Sequence, residues 1–200
     1  MKLSVIGYAA SGKSTLAAEL GRLTGCPVLH LDKVQFLPDW QERDRAQARG
    51  MVEEFLDCNR EKGWVIDGNY SNFHHERRMA ESDLIVFMDF PRRICLPQAL
   101  YRAWKYRGRV RESSADGCAE KMDREFLLWI LRDGRTRERR QGYKNLMERY
   151  GKKAVAVRSR REARRCLRLL EKLLEENRNL TCKGGCAKEA IKFTGNEELQ

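Results

Sequence analysis

Residues 7–14 read Gly-Tyr-Ala-Ala-Ser-Gly-Lys-Ser, two glycines five positions apart with a lysine and a serine directly after the second. Each specified position has a chemical reason. Gly7 and Gly12 let the backbone curl until the amides of the loop, those of Ala9, Ala10 and Ser11 among them, converge on one phosphate. A helix opening near Gly12, with Thr15 in its first turn, adds the positive end of its dipole. Lys13 reaches the β- and γ-phosphates and the Ser14 hydroxyl ligates Mg²⁺. The motif is G-x-x-x-x-G-K-[ST], and it requires a strand before it and a helix after it. Both are legible: Lys2–Ile6 is a short apolar run, and Leu16, Leu20 and Leu23 recur at helical spacing. The chemistry indicated is binding of a nucleoside triphosphate with Mg²⁺.

A second set of residues lies at the ends of apolar runs. Asp32 closes the run Pro27–Leu31, Asp67 closes Trp64–Ile66, and Asp89 closes Leu84–Met88. Ala154–Val157 is a fifth such run. Between them lie helical patterns over 43–62, 94–106, 120–131, 136–150 and 160–177, with Pro97 placed in a first turn, where it is tolerated. Strands alternating with helices predict a parallel sheet covered on both faces. In such sheets ligands bind beyond the carboxyl ends of the strands, which is where these three carboxylates arrive. Each also suits a turn or helix cap, and for Asp89, two before Pro91, both readings stand.

The chain has 200 residues, 40 Lys and Arg against 29 Asp and Glu, and a net charge of +11. Residues 1–85 are slightly acidic, at −2, whereas 92–165 alone carry +14. No apolar run approaches a membrane span, and Gly12-Lys13-Ser14 interrupts the apolar start before an export signal forms. Seven dispersed cysteines suit a reducing compartment, so a cytoplasmic location is expected. Cys182 and Cys186 have metal-ligand spacing but no second pair and no nearby His, so no metal is assigned to them.

The loop, Leu31-Asp32 followed by Pro38-x-Trp40, Trp64-Val65-Ile66-Asp67-Gly68-Asn69-Tyr70-Ser71, Asp89-Phe90-Pro91-Arg92, Gly117-Cys118-x-Glu120-Lys121 and Phe126-Leu127-x-Trp129 together carry a resemblance. Over residues 1–175 the chain resembles the adenylate kinase-like P-loop kinases, and within them the bacterial DNA topology modulation protein group. The resemblance implies a three-layer α/β/α P-loop nucleoside-triphosphate-hydrolase fold with a five-stranded parallel sheet of order 2-3-1-4-5 and a helical lid insert. It implies a kinase-like domain over 1–178, with the lid at about 92–117, and leaves 179–200 as a flexible tail.

By that resemblance the chain transfers the γ-phosphoryl group of ATP, with Mg²⁺, to a nucleotide or other small-molecule acceptor. Lys13 and the loop amides hold the donor, Asp67 holds Mg²⁺ through water, and Asp32 meets the acceptor hydroxyl. Arg102, eleven residues after Pro91, is the first lid arginine expected at the phosphates; Arg107, Arg109 and Arg111 follow, with Arg109 taken as catalytic beside it. Arg158 lies where such proteins pack the adenine base, although Ser159 also reads as a helix cap. Asn69, Tyr70 and Trp40 either shape the acceptor pocket or pack their loops. Arg77 and Arg78 either bind an acceptor phosphate or end a solvated helix. A second reading makes 92–165 a phosphate-tracking face of a nucleic-acid-associated ATPase. It brings no helix-turn-helix, zinc-finger or RNA-binding motif with it.

Overall fold

The computed structural model describes residues 1–111, 113–120 and 122–182, with side chains through 179. Five strands, β1 (Lys2–Gly7), β2 (Val28–His30), β3 (Trp64–Asp67), β4 (Leu84–Met88) and β5 (Ala154–Val157), form one sheet in the order β2-β3-β1-β4-β5. Every pairing is parallel, with Leu3 opposite Val65 on one side and Leu84 on the other. Apart from Ser4 and Asp67, β1, β3 and β4 carry almost continuous apolar sequence because helices cover both faces.

Eight helices do the covering: α1 (Lys13–Thr24), α2 (Leu31–Gln35), α3 (Arg45–Cys58), α4 (His75–Glu81), α5 (Arg92–Lys105), α6 (Arg124–Leu131), α7 (Arg137–Arg149) and α8 (Arg160–Cys182). One core joins Leu3, Val5 and Val86 to Leu16 and Leu20 of α1, Cys95 of α5 and Cys166 and Leu170 of α8. A second, built on Ile6, Ile85 and Phe87, packs against Met79 of α4 and Tyr143 and Met147 of α7. A third, with Trp64 and Ile66, holds Leu31, Val34, Val52 and Leu56 of α2 and α3.

Helix boundaries follow their caps. Asp44, Asp123 and Thr136 accept the backbone N–H three residues on, so α3, α6 and α7 start directly after them. This trims the expected 43–62 and 120–131. Ser159 and Glu162 form a reciprocal capping box at the start of α8, the cap reading of Ser159. Two short helices escaped the periodicity reading: α2, which places Asp32 in a first turn rather than at a strand end, and α4. Helix α5 begins at Arg92, two residues earlier than expected, so Pro97 lies inside it and removes the donor for the Arg93 carbonyl. Helix α8 continues to Cys182, so residues 179–182 are helical where a tail was expected. The rest of that stretch, including Cys186, lies outside the described residues, as does Lys121. Among the described residues no helix is long and apolar enough to cross a membrane.

Candidate active site around the glycine loop

The loop between β1 and α1 adopts the backbone that its glycines anticipate. Gly7 has φ +141° and Gly12 +94°, both in the region that favours glycine, and Ala10 joins them at +56°. A Cβ on Gly7 would stand 2.5 Å from the Met88 carbonyl oxygen, because β4 closes on the loop there. We expect Gly7→Ala to lower the unfolding free energy by about 3 kcal/mol, from strain and overpacking together. Urea unfolding of the two proteins checks this; an unchanged midpoint would remove the close approach as a constraint.

Asn69, just past β3, fixes the loop from outside. Its Oδ1 accepts the Gly7 N–H at 2.8 Å and its Nδ2 donates to the Gly7 carbonyl at 2.5 Å. The side chain therefore acts as a two-bond clamp on the phosphate loop rather than as an acceptor-pocket wall. Lys13 is half-buried and its Nζ donates to the Tyr8 carbonyl at 3.0 Å. Burial pushes its pKa down, Asp67 and Asp32 pull it back up, and Arg102 lowers it further. The ammonium thus sits between the expected carboxylates and the lid arginine, although the four come from four separate stretches of chain.

Asp67 ends β3, is nearly buried, and gives Oδ2 to His30 Nδ1 at 3.0 Å. Its Oδ1 has no hydrogen-bond partner, nor has the buried Ser11 hydroxyl in the loop. Buried polar atoms without partners are rare. Both lie where a phosphate–cation pair would satisfy them, so the residues present fit a bound nucleotide and Mg²⁺. Ser14 and Asp67 would hold the cation, with the remaining positions taken by water and phosphate oxygens, as Mg²⁺ prefers. Among the described residues no cluster of three His, Cys, Asp or Glu offers a protein-only metal site.

Asp32 accepts the Tyr70 hydroxyl at 2.8 Å. Burial and the Asp32 charge hold the Tyr70 phenol well above its ordinary pKa, so it remains a donor. Tyr70 stacks at a tilt on Phe73, and Arg78 beneath them is completely buried. Its guanidinium donates to the carbonyls of Phe73, Gly68 and Tyr70. Burial lowers its pKa to about 10, which leaves it cationic at neutral pH. Arg78 is therefore neither an acceptor-phosphate ligand nor a solvated helix end. It ties down the loop that carries Asn69 and Tyr70. Arg77 pairs with Asp57 and Glu81.

Across the site, Arg102 and Arg111 share one carboxylate, Glu120, at 2.6 and 2.5 Å. Burial and the neighbouring Arg111 push the Arg102 pKa down. Arg109 is exposed, and Arg111 occupies the place beside Arg102 that was expected of Arg109. Residues 117–119 touch the segment 37–40: Trp40 Nε1 donates to the Ala119 carbonyl, Cys118 Sγ to that of Leu37, and Gly117 lies against Pro38. Arg158 is exposed at the far end of the sheet, 3.5 Å from Asp89.

Sequence reasoning passed over Glu120 as an anchor for the lid, His30 as a partner of Asp67, and Gln98. Gln98 lies over Gly12 with its own Oε1 buried and unpartnered. An i, i+2 pair such as His30 and Asp32, flanking a strand end, was the available signal for His30.

Three solved structures are similar to this chain. Deoxyadenosine kinase from M. mycoides with bound dATP is 13% identical, with a TM-score of 0.47, over 90% of this chain and 100% of its own. Shikimate kinase from Aquifex aeolicus is 18% identical, TM-score 0.44, over 92% and 100%. An uncharacterized protein from Eubacterium ventriosum is 14% identical, TM-score 0.48, over 88% and 99%. No protein-family model matches the chain, and no curated protein matches it. The strand order and the glycine loop make this a three-layer α/β/α P-loop fold on the chain's own coordinates. At such identities activity must be argued from the site.

Proposed function

We propose that the chain is an ATP- and Mg²⁺-dependent phosphotransferase acting on the hydroxyl group of a small molecule. The observation that carries this is the half-buried Lys13 in its glycine loop, within electrostatic reach of both Asp67 and Asp32. A nucleotide-binding switch needs the first carboxylate but has no use for the second.

The roles follow from placement. Lys13, partly withdrawn from solvent in its loop, stabilises charge on the transferring group. The loop amides and Ser11 orient the donor phosphates. Bound Mg²⁺ supplies charge neutralisation between the donor oxygens. Asp32, oriented by the Tyr70 hydroxyl, accepts the proton of the acceptor hydroxyl. Arg102 and Arg111, gathered by Glu120, belong to a lid at about 92–117, within a domain covering 1–178. Arg158 is retained as a contact to the donor nucleoside.

The acceptor class is argued from the arginines on the segments around α2 and the 68–74 loop. Arg43 donates to the Val34 carbonyl, Arg77 is taken by Asp57 and Glu81, and Arg78 by three carbonyls. With these engaged, the acceptor pocket suits an uncharged hydroxyl better than a phosphate monoester. Measuring ADP release with nucleosides, polyols, hydroxy acids and nucleoside monophosphates tests the reading. One hydroxyl class should stimulate release, and Asp32→Asn should lower that rate about 10²–10³-fold, in the range of a lost general base, with nucleotide affinity little changed. No stimulation by any acceptor, or an Asp32→Asn enzyme as fast as wild type, would overturn it.

A further inference from the structure

The carboxyl ends of β4 and β5 frame a second concavity, of about 610 Å³, walled by arginine. Arg92 and Arg93 come from the first turn of α5, Arg135 and Arg140 from the turn before α7 and its start, and Arg158 from just after β5. Tyr8 and Asp89 complete the polar wall.

This cavity is not the phosphate loop seen from another side. Neither Lys13 nor Asp32, Asp67 or Arg102 lines it. Tyr8 turns from the loop into the core beneath α4 and α7, stacking near Phe87 and Tyr143. Helix α1, which starts at Lys13, packs on the opposite face of the sheet with Cys95 and Cys166.

The charges of the cavity are only partly answered. Arg135 is buried, its guanidinium 3.6 Å above the Tyr8 ring, and it donates to the Phe90 carbonyl at 2.6 Å. Arg92 gives its Nε–H to the Leu131 carbonyl. Arg158 alone meets the one carboxylate, Asp89, and only at 3.5 Å. Arg93 and Arg140 are exposed and have no carboxylate partner among the described residues. Five guanidinium groups around a single carboxylate repel one another, and a bound polyanion is what relieves that field. Guanidinium forks match phosphate oxygens in pairs. The volume lies within the range of small-ligand sites.

We propose that this cavity binds a chain of two or three phosphates, distinct from the donor phosphates held at Lys13, with Arg158 on the border between the cavity and the donor nucleoside. Inorganic polyphosphate and the phosphate tail of a second nucleotide share this chemistry. The site stands or falls independently of the phosphotransferase reading.

Calorimetric titration of the full chain with inorganic tripolyphosphate at low salt tests it. The wild type is expected to take up two equivalents and Lys13→Ala one. Adding Arg93→Gln and Arg140→Gln to Lys13→Ala should weaken the remaining site about tenfold or more, since two charge-assisted contacts are lost. Both arginines are exposed, so the variant should fold, which circular dichroism checks. Binding abolished by Lys13→Ala in a folded chain, or indifferent to the arginine pair, overturns the proposal. On the Lys13→Ala background, tighter binding of ATP than of tripolyphosphate assigns the nucleotide source, and the reverse order assigns the inorganic one. A single-stranded oligonucleotide that binds this background more tightly than either, through the same two arginines, overturns the small-anion assignment in favour of nucleic acid.

Discussion

Lys13→Ala is expected to yield a folded protein that no longer transfers phosphate, with activity down by about 10²–10³-fold or more and donor affinity sharply reduced. The size of the effect comes from where the ammonium sits. It is half-buried, so its charge is screened less than that of a surface lysine, and among the described residues it donates to the Tyr8 carbonyl within the same loop. Stability should change little. The cost of desolvating the ammonium and its attraction to Asp67 and Asp32 disappear together, and these terms oppose one another. Steady-state kinetics, nucleotide titration and thermal unfolding of the same preparations separate the two effects. A variant that turns over as fast as wild type would remove the glycine loop from the chemistry.

Arg78→Met is expected to do the opposite: to damage the fold first and the site through it. The substitution keeps most of the aliphatic stem but strips donors from the carbonyls of Phe73, Gly68 and Tyr70 in a buried place. Leaving such acceptors unpaired should cost about 3–5 kcal/mol in all. The loop released by the change carries Asn69, which clamps Gly7, and Tyr70, which orients Asp32. The variant should therefore unfold at lower urea and, where still folded, show weakened donor binding and slowed transfer. Arg78→Lys should recover only part of the loss, because one ammonium cannot span three carbonyls from the guanidinium's positions. A variant with unchanged urea midpoint would show that the carbonyls find other donors.

The strand alternation and the parallel sheet were legible because the strands are short apolar runs and each long helix has its stripe; the sheet order came only through the family resemblance. The glycine loop was legible because its function constrains consecutive residues. Asp67 was legible at its strand end, and Asp32 as the polar residue after an apolar run, although it stands in the first turn of α2. The clamp by Asn69 was not, since it joins residues far apart in sequence through a side-chain amide that looks like any loop Asn. Arg78 was misjudged for a related reason: arginine is rarely buried, and nothing local announces three carbonyls converging on it. Glu120 could not be singled out among acidic residues until Arg102 and Arg111 were brought to it from both sides. Helix α2 was too short to show a period. The basic excess of 92–165 was visible as a number, but the fold divides it: Arg102 and Arg111 go to the lid, Arg149 to Glu76, Arg135 inward, and the rest to the arginine-walled cavity and the exposed helices.

Strand β1 lies at the centre of the sheet, and both of its neighbours, Trp64–Asp67 on one side and Leu84–Met88 on the other, come later in the chain. During synthesis the glycine loop is therefore made well before the segments that support it. It cannot take its shape until Asn69 and the Met88 backbone have followed it out. Early pairing is ruled out by topology, which makes for slow, long-range closure. The nascent chain must meanwhile keep an apolar, unpaired β1 from other strands, and a newly made molecule gains its nucleotide site only once the middle of the sheet has closed.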